Sequence, residues 1–141
     1  MKSSTHRANI LSSEYSYAGT GVAADKDTYY ATQTFGDLIA EMITEPPDTI
    51  PIGSKRRFTF RFLGDFPRED LTVFLQFPDK GERFYLPDRS YYTGIGPYEP
   101  IWDNDEQFSL ELVFDKGKGI YELVMGQKGT FYPNGITFYA E

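Results

Sequence analysis

Side chains able to do chemistry are sparse in this sequence and fall in two places. The single histidine, His6, lies in the run "SSTHRANIL". The other place is "PDRSYYTGIGPYEPIWDNDEQ", which gathers Tyr91, Tyr92, Tyr98 and the sole tryptophan, Trp102, ahead of Asp103, Asp105 and Glu106. Aromatic faces beside carboxylates can make a platform for a sugar ring. The "DNDE" acids offer oxygen ligands to calcium, although without the spacing and glycine of an EF-hand loop. The same residues serve as well in a structural loop whose aromatics pin it to a core and whose acids face water. His6 alone cannot hold a metal ion tightly, because a zinc site needs three or four protein ligands. The chain has no Cys, and it lacks a Ser-His-Asp order, a phosphate-binding loop and a dinucleotide fingerprint. Beyond His6, catalysis would rest on carboxylates alone, and no pair of them is marked. The residues favour a binding protein over an enzyme and leave catalysis undecided.

These residues need elements to hold them. Residues 3 to 11 read as a short helix that Ser3 or Ser4 can cap. Two extended runs, "SEYSYAGTGVAAD" and "TYYATQTFG", flank a D-K-D turn and predict a β-hairpin with Gly19 and Gly21 on one face. The composition then shifts. "GDLIAEMITEPPDTIPIGSK" carries Pro46, Pro47 and Pro51 and reads as a linker that becomes the first strand of a second unit. The expected division is residues 1–36, a linker and first strand over 37–54, and a β unit over 55–141, with the downstream domain as a whole covering about 38–141.

Downstream of the linker the pattern has a period of two. Phe58, Phe60 and Phe62 share one face, as do Leu71, Val73, Leu75 and Phe77. Phe108, Leu110, Leu112 and Phe114 do the same, followed by Tyr121, Leu123 and Met125. With "ERFYLP", "GITFYA" and an initial strand near residues 41 to 45, this predicts about seven short strands in an antiparallel, immunoglobulin-like β-sandwich. "DKGKGIYELVMG" is similar to the Gly-x-Tyr strand near the end of many such sandwiches. The aromatic and acidic run reads as the longest irregular stretch. The fold class expected for the whole chain is therefore mainly β, with a short helix and hairpin ahead of the sandwich.

Charge and composition narrow the partners. A net charge of −7 argues against nucleic acid, whose binding footprints are basic, and against an anionic membrane surface. At 17% aromatic the chain is too rich in ring side chains for a disordered segment, so it folds. No apolar run approaches the roughly 20 residues of a membrane span. The first residues lack the apolar centre of a signal peptide, so the signal of an exported parent would lie upstream.

Three blocks, "MKSSTHRANIL", "GTGVA" and "TYYATQTFG", match in order and spacing the end of a bacterial CAP-superfamily domain. That superfamily holds the cysteine-rich secretory, antigen 5 and pathogenesis-related proteins. Its bacterial members end in stretches such as Gly-His-Arg-x-Asn-Ile-Leu, Gly-x-Gly-Val-Ala and Tyr-Tyr-x-Thr-Gln-x-Phe-Gly. Residues 1–36 thus resemble the tail of an α-β-α CAP domain, with Thr5 standing where the family usually has Gly. The resemblance implies a secreted parent, extracellular or at the cell surface, and places Met1 at an internal family position. It implies a cleft of two His and two Glu that binds a divalent metal such as zinc in some members. His6 would be the second His, with Arg7 and Asn9 beside it, and the remaining ligands would lie upstream. The implied ligands are a small molecule, a lipid or a glycan, and the intact parent could be hydrolytic. A helix and hairpin taken from such a domain bury little, so self-association through the exposed hairpin is expected.

Overall fold

The computed structural model describes residues 3–13, 15–85, 87–132 and 135–141. The chain separates into two compact units, Met1–Leu38 and Ile39–Glu141.

The first unit holds α1 (Ser4–Ile10), β1 (Tyr17–Asp25) and β2 (Thr28–Gly36). Ser3 is the N-cap of α1, and its Oγ accepts a hydrogen bond from the His6 N–H at 3.4 Å. That satisfies one of the donors a helix start leaves without a partner. β1 and β2 pair antiparallel from Asp25 opposite Thr28 to Tyr17 opposite Gly36. Lys26 has φ 53, the positive value that a two-residue turn needs to match the twist of its strands. All of β1 is exposed, and of β2 only Phe35 and Gly36 are half-buried. The Tyr15 and Phe35 rings lie 6.0 Å apart, and the Ser16 N–H donates to Asp37 Oδ1 at 2.7 Å.

The second unit is built from β3 (Ala40–Met42), β4 (Lys55–Phe62), β5 (Leu71–Gln76), β6 (Arg83–Tyr85), β7 (Tyr91–Thr93), β8 (Ile95–Pro97), β9 (Ile101–Trp102), β10 (Gln107–Val113), β11 (Gly119–Gln127) and β12 (Ile136–Ala140). One antiparallel sheet runs β3-β4-β10-β9 and a second runs β12-β11-β5-β8, while β6 and β7 form a separate hairpin. The period-two positions explain the layering. Phe58 and Phe60 of β4 and Phe108, Leu110 and Leu112 of β10 share one core with Val73 and Leu75 of β5, Tyr121 and Leu123 of β11, and Phe138 and Ala140 of β12. Rings meet across the two sheets: Phe58 lies 4.9 Å from Phe138, and Phe114 lies 5.0 Å from Tyr121.

After β3 the chain leaves the first sheet. Ile50, fully buried, bridges Ala140 in parallel, donating its N–H to the Tyr139 carbonyl at 2.9 Å and accepting from the Glu141 N–H at 3.0 Å. The three prolines lie on this crossing, where no ladder donor is required of them.

The structure corrects two details of the sequence pattern. The run expected to be irregular contributes three short strands, β7, β8 and β9. Val124, placed outside by the alternation, is fully buried. The segment after β11 folds back over it: the Tyr132 N–H donates to the Met125 carbonyl at 2.9 Å, and Phe131 packs edge-on against Phe74 at 5.4 Å. Among the described residues, no helix is long and apolar enough to cross a membrane.

Candidate functional site

The most exposed aromatic pair of the second unit sits on the β6–β7 hairpin. Its register sets Arg83 opposite Thr93, Phe84 opposite Tyr92, and Tyr85 opposite Tyr91. Side chains alternate across the pleat, so the hairpin has an anchoring face and a free one. On the anchoring face, Phe84 stacks on Tyr92 at 6.0 Å and packs against Phe77 at 5.2 Å, while Tyr92 stands edge-on to Phe74 at 6.4 Å. Gly96 makes this seating possible, because a Cβ there would lie 2.8 Å from the Phe84 ring and 3.0 Å from that of Phe77.

On the free face, the Tyr85 and Tyr91 rings lie 5.7 Å apart and are 66% and 50% exposed. The Arg83 guanidinium sits 4.8 Å from the centre of the Tyr91 ring, a cation–π contact. At the tip, Asp88 Oδ1 accepts from the Ser90 hydroxyl at 2.5 Å and from the Ser90 N–H at 2.9 Å. Those bonds stabilise the charged form and hold the Asp88 carboxyl below its usual range. The free face therefore offers two ring surfaces and a cationic fork, and the turn that joins its strands carries an ionised carboxylate.

The four aromatics singled out from sequence occupy four different settings. Tyr91 is on the free face and Tyr92 on the anchoring one. Tyr98 is half-buried against the core, where its hydroxyl oxygen accepts from the Val113 N–H at 3.3 Å, and burial pushes its phenol pKa up. Trp102 belongs to the opposite sheet, on β9 beside Phe108. Its ring lies 5.1 Å from Phe108 and 5.5 Å edge-on from Phe62, with the Arg68 guanidinium 5.6 Å from its centre. Trp102 thus plugs the rim of the core, and the ring that faces Tyr91 is Tyr85.

Two of the acids following Trp102, Asp103 and Asp105, are engaged by cations. Asp103 accepts from the buried Ser109 hydroxyl at 2.7 Å and pairs with Arg57 at 3.3 Å. Asp105 pairs with Arg68 at 2.7 Å, and Glu106 is exposed, with its N–H bonded to Asn104 Oδ1 at 2.9 Å. Two arginines at this turn oppose a bound cation electrostatically. His6, Arg7 and Asn9 are all exposed on α1. Among the described residues, no group of three or more His, Cys, Asp or Glu could hold a metal ion. A shallow cleft of about 460 Å³ opens where the chain crosses between sheets, lined by Thr44, Glu45, Pro46, Pro47, Arg56, Arg57 and Phe58.

Sequence reasoning missed Tyr85 and Arg83. A signal was available, because "RFY" and "YYT" flank the turn-forming "PDRS", and pairing them places Tyr85 against Tyr91. No family model, curated protein or solved structure matches the chain.

Proposed function

We propose that the chain is a non-enzymatic, adhesion-type binding module of an extracellular or cell-surface protein, with the free face of the β6–β7 hairpin as its ligand contact. The carrying observation is the Tyr85–Tyr91 pair, held outward beside Arg83 by the anchored Phe84 and Tyr92. Tyrosines give large contact area at low entropic cost, since few torsions must be fixed on binding. Their ring faces suit the C–H face of a sugar, while Arg83 and Asp88 supply a donor and an acceptor for hydroxyls. The ligand class that fits is a carbohydrate.

The scaffold is, in this reading, an immunoglobulin-like sandwich. The order β3-β4-β10-β9 corresponds to the A-B-E-D sheet of such domains, and β12-β11-β5 to G-F-C, with β8 added at the edge. Tyr121, near the start of β11, donates its hydroxyl to the Gly117 carbonyl at 3.0 Å, as a tyrosine corner does. Such sandwiches host many functions, so the assignment rests on the hairpin.

The test is a glycan array probed with the wild type and with Tyr85→Ala/Tyr91→Ala. Both rings are exposed, so the double variant should melt with the wild type. Binding by the wild type that disappears in the variant supports the reading. A wild type that binds no glycan, or a variant that binds as well, refutes it.

A second reading takes the first unit as the tail of a CAP-type domain, with His6 one ligand of a divalent-metal or lipid-binding cleft. It is supported by the three sequence blocks and by α1, which keeps His6, Arg7 and Asn9 exposed together. On this reading the 141-residue chain binds zinc weakly, and tight zinc binding abolished by His6→Ala would contradict the division of ligands.

A further inference from the structure

Sheet edges offer unpaired N–H and C=O groups to other chains, and the second unit blunts each of its own. β3, β6, β7 and β8 run only three residues each and β9 two, and β8 ends in Pro97. The outer side of β12 is taken by the Ile50 bridge. The first unit has none of these devices. β1 and β2 are nine residues each, without proline. β1 carries Asp25 at its end, and Gly19 and Gly21 weaken it as a template. β2, "TYYATQTFG", has no charged side chain and is rich in the β-branched and aromatic residues that pair most readily.

We infer that two copies of this chain join through the free edge of β2, antiparallel about a two-fold axis at Thr32. The register follows from the hairpin. Asp25 and Thr28 close a two-residue turn, so the backbone groups of Thr28 point at β1. The alternation of an antiparallel ladder then turns those of Tyr30, Thr32 and Thr34 the same way and leaves Tyr29, Ala31, Gln33 and Phe35 bonding outward. A symmetric pairing that uses all four sets Tyr29 opposite Phe35 of the second copy, and Ala31 opposite its Gln33. Thr32 then faces its own counterpart in a non-hydrogen-bonded pair. Tyr29, 76% exposed in one chain, gains an aromatic cross-strand neighbour. The product is a four-stranded sheet, which has the independent stability that a lone hairpin lacks. The contact is self-complementary and stops at the dimer. It is independent of the ligand reading for β6–β7.

The chain has no cysteine, so one introduced thiol reports the register directly. In Thr32→Cys the two Cα atoms would lie about 4.5 Å apart, within disulfide range. Mild oxidation of the full chain should give a disulfide dimer on a non-reducing gel, while Thr34→Cys should stay monomeric on the gel. In sedimentation equilibrium the wild type should show a concentration-dependent dimer. Thr32→Lys, which opposes two like charges, should weaken it about tenfold or more while leaving the melting of the second unit unchanged. A wild type that is monomeric at every concentration overturns the inference. So does Thr34→Cys cross-linking ahead of Thr32→Cys, or a Thr32→Lys dimer as tight as the wild type.

Discussion

Replacing Tyr121 with Phe tests whether one hydroxyl fastens the turn between the two sheets. The Tyr121 ring is fully buried, 5.0 Å from Phe114 and 6.1 Å from Phe77. Its hydroxyl oxygen accepts from the Lys116 N–H at 2.8 Å, and its proton goes to the Gly117 carbonyl at 3.0 Å. Tyr121→Phe keeps the ring and its packing and removes both bonds. Gly117 is exposed, so water can replace its partner, whereas Lys116 is half-buried. The cost therefore falls mainly on one N–H, about 1–2 kcal/mol. For a domain of this size that lowers Tm by roughly 4–15 °C. The pH dependence adds a second signature. Burial pushes the Tyr121 phenol pKa above its usual value, outweighing the lowering by the Lys116 N–H bond. The folded state then keeps this proton to a higher pH than the unfolded chain. Its contribution is complete below the unfolded pKa near 10 and is lost as pH rises through the folded one. Melts followed by circular dichroism should show the gap between wild type and variant narrowing above about pH 10. A gap under about 0.5 kcal/mol at neutral pH, or one that stays constant into the alkaline range, would refute the argument.

Trp102→Ala should cost about 2–4 kcal/mol in urea unfolding, less than a fully buried aromatic because the ring is only half-buried, and Trp102→Phe should recover most of it. Unchanged stability would return Trp102 to the candidates for ligand contact. Gly126→Ala would drive a Cβ into the Thr130 carbonyl oxygen and to 2.5 Å from Phe131 Cα. It should lower the urea midpoint by the equivalent of about 2 kcal/mol or more, and a neutral result would show that the returning segment does not lie on β11.

What the sequence made legible was whatever depends on near neighbours in the chain. The alternation of Phe58 with Phe60, and of Phe108 with Leu110 and Leu112, marks faces directly, since successive side chains point oppositely, and those five residues are in the core. Ser3 and the D-K-D turn act within four residues of themselves, and both form as read. The rest depended on pairing across distance. Asp103 and Asp105 look free in the sequence because Arg57 and Arg68 lie 46 and 37 residues away. Trp102 reads as a ligand platform until β9 pairs with β10 and turns its ring onto Phe62 and Phe108. Val124 breaks the alternation because a segment with no period of its own returns over it. The site was half legible for the same reason, since Tyr91 lies in a conspicuous aromatic run whereas Tyr85 matters only through the register that brings it opposite.

The two units also answer the same physical demand differently. The second unit closes on itself: its apolar faces meet in one core, its edge strands are short, and its outlying acids are paired with arginines. The first unit has no buried residue among those described. A seven-residue helix is shorter than isolated helices need in water, and a two-stranded hairpin is marginal by itself. The stability of β1 and β2 must then come from contacts beyond their own pairing. The edge best fitted to supply them is the one on which the chain spends no charge, no proline and no bulge. The feature that would be a liability on the sandwich, an unprotected β2, is for the hairpin the means of becoming a stable sheet.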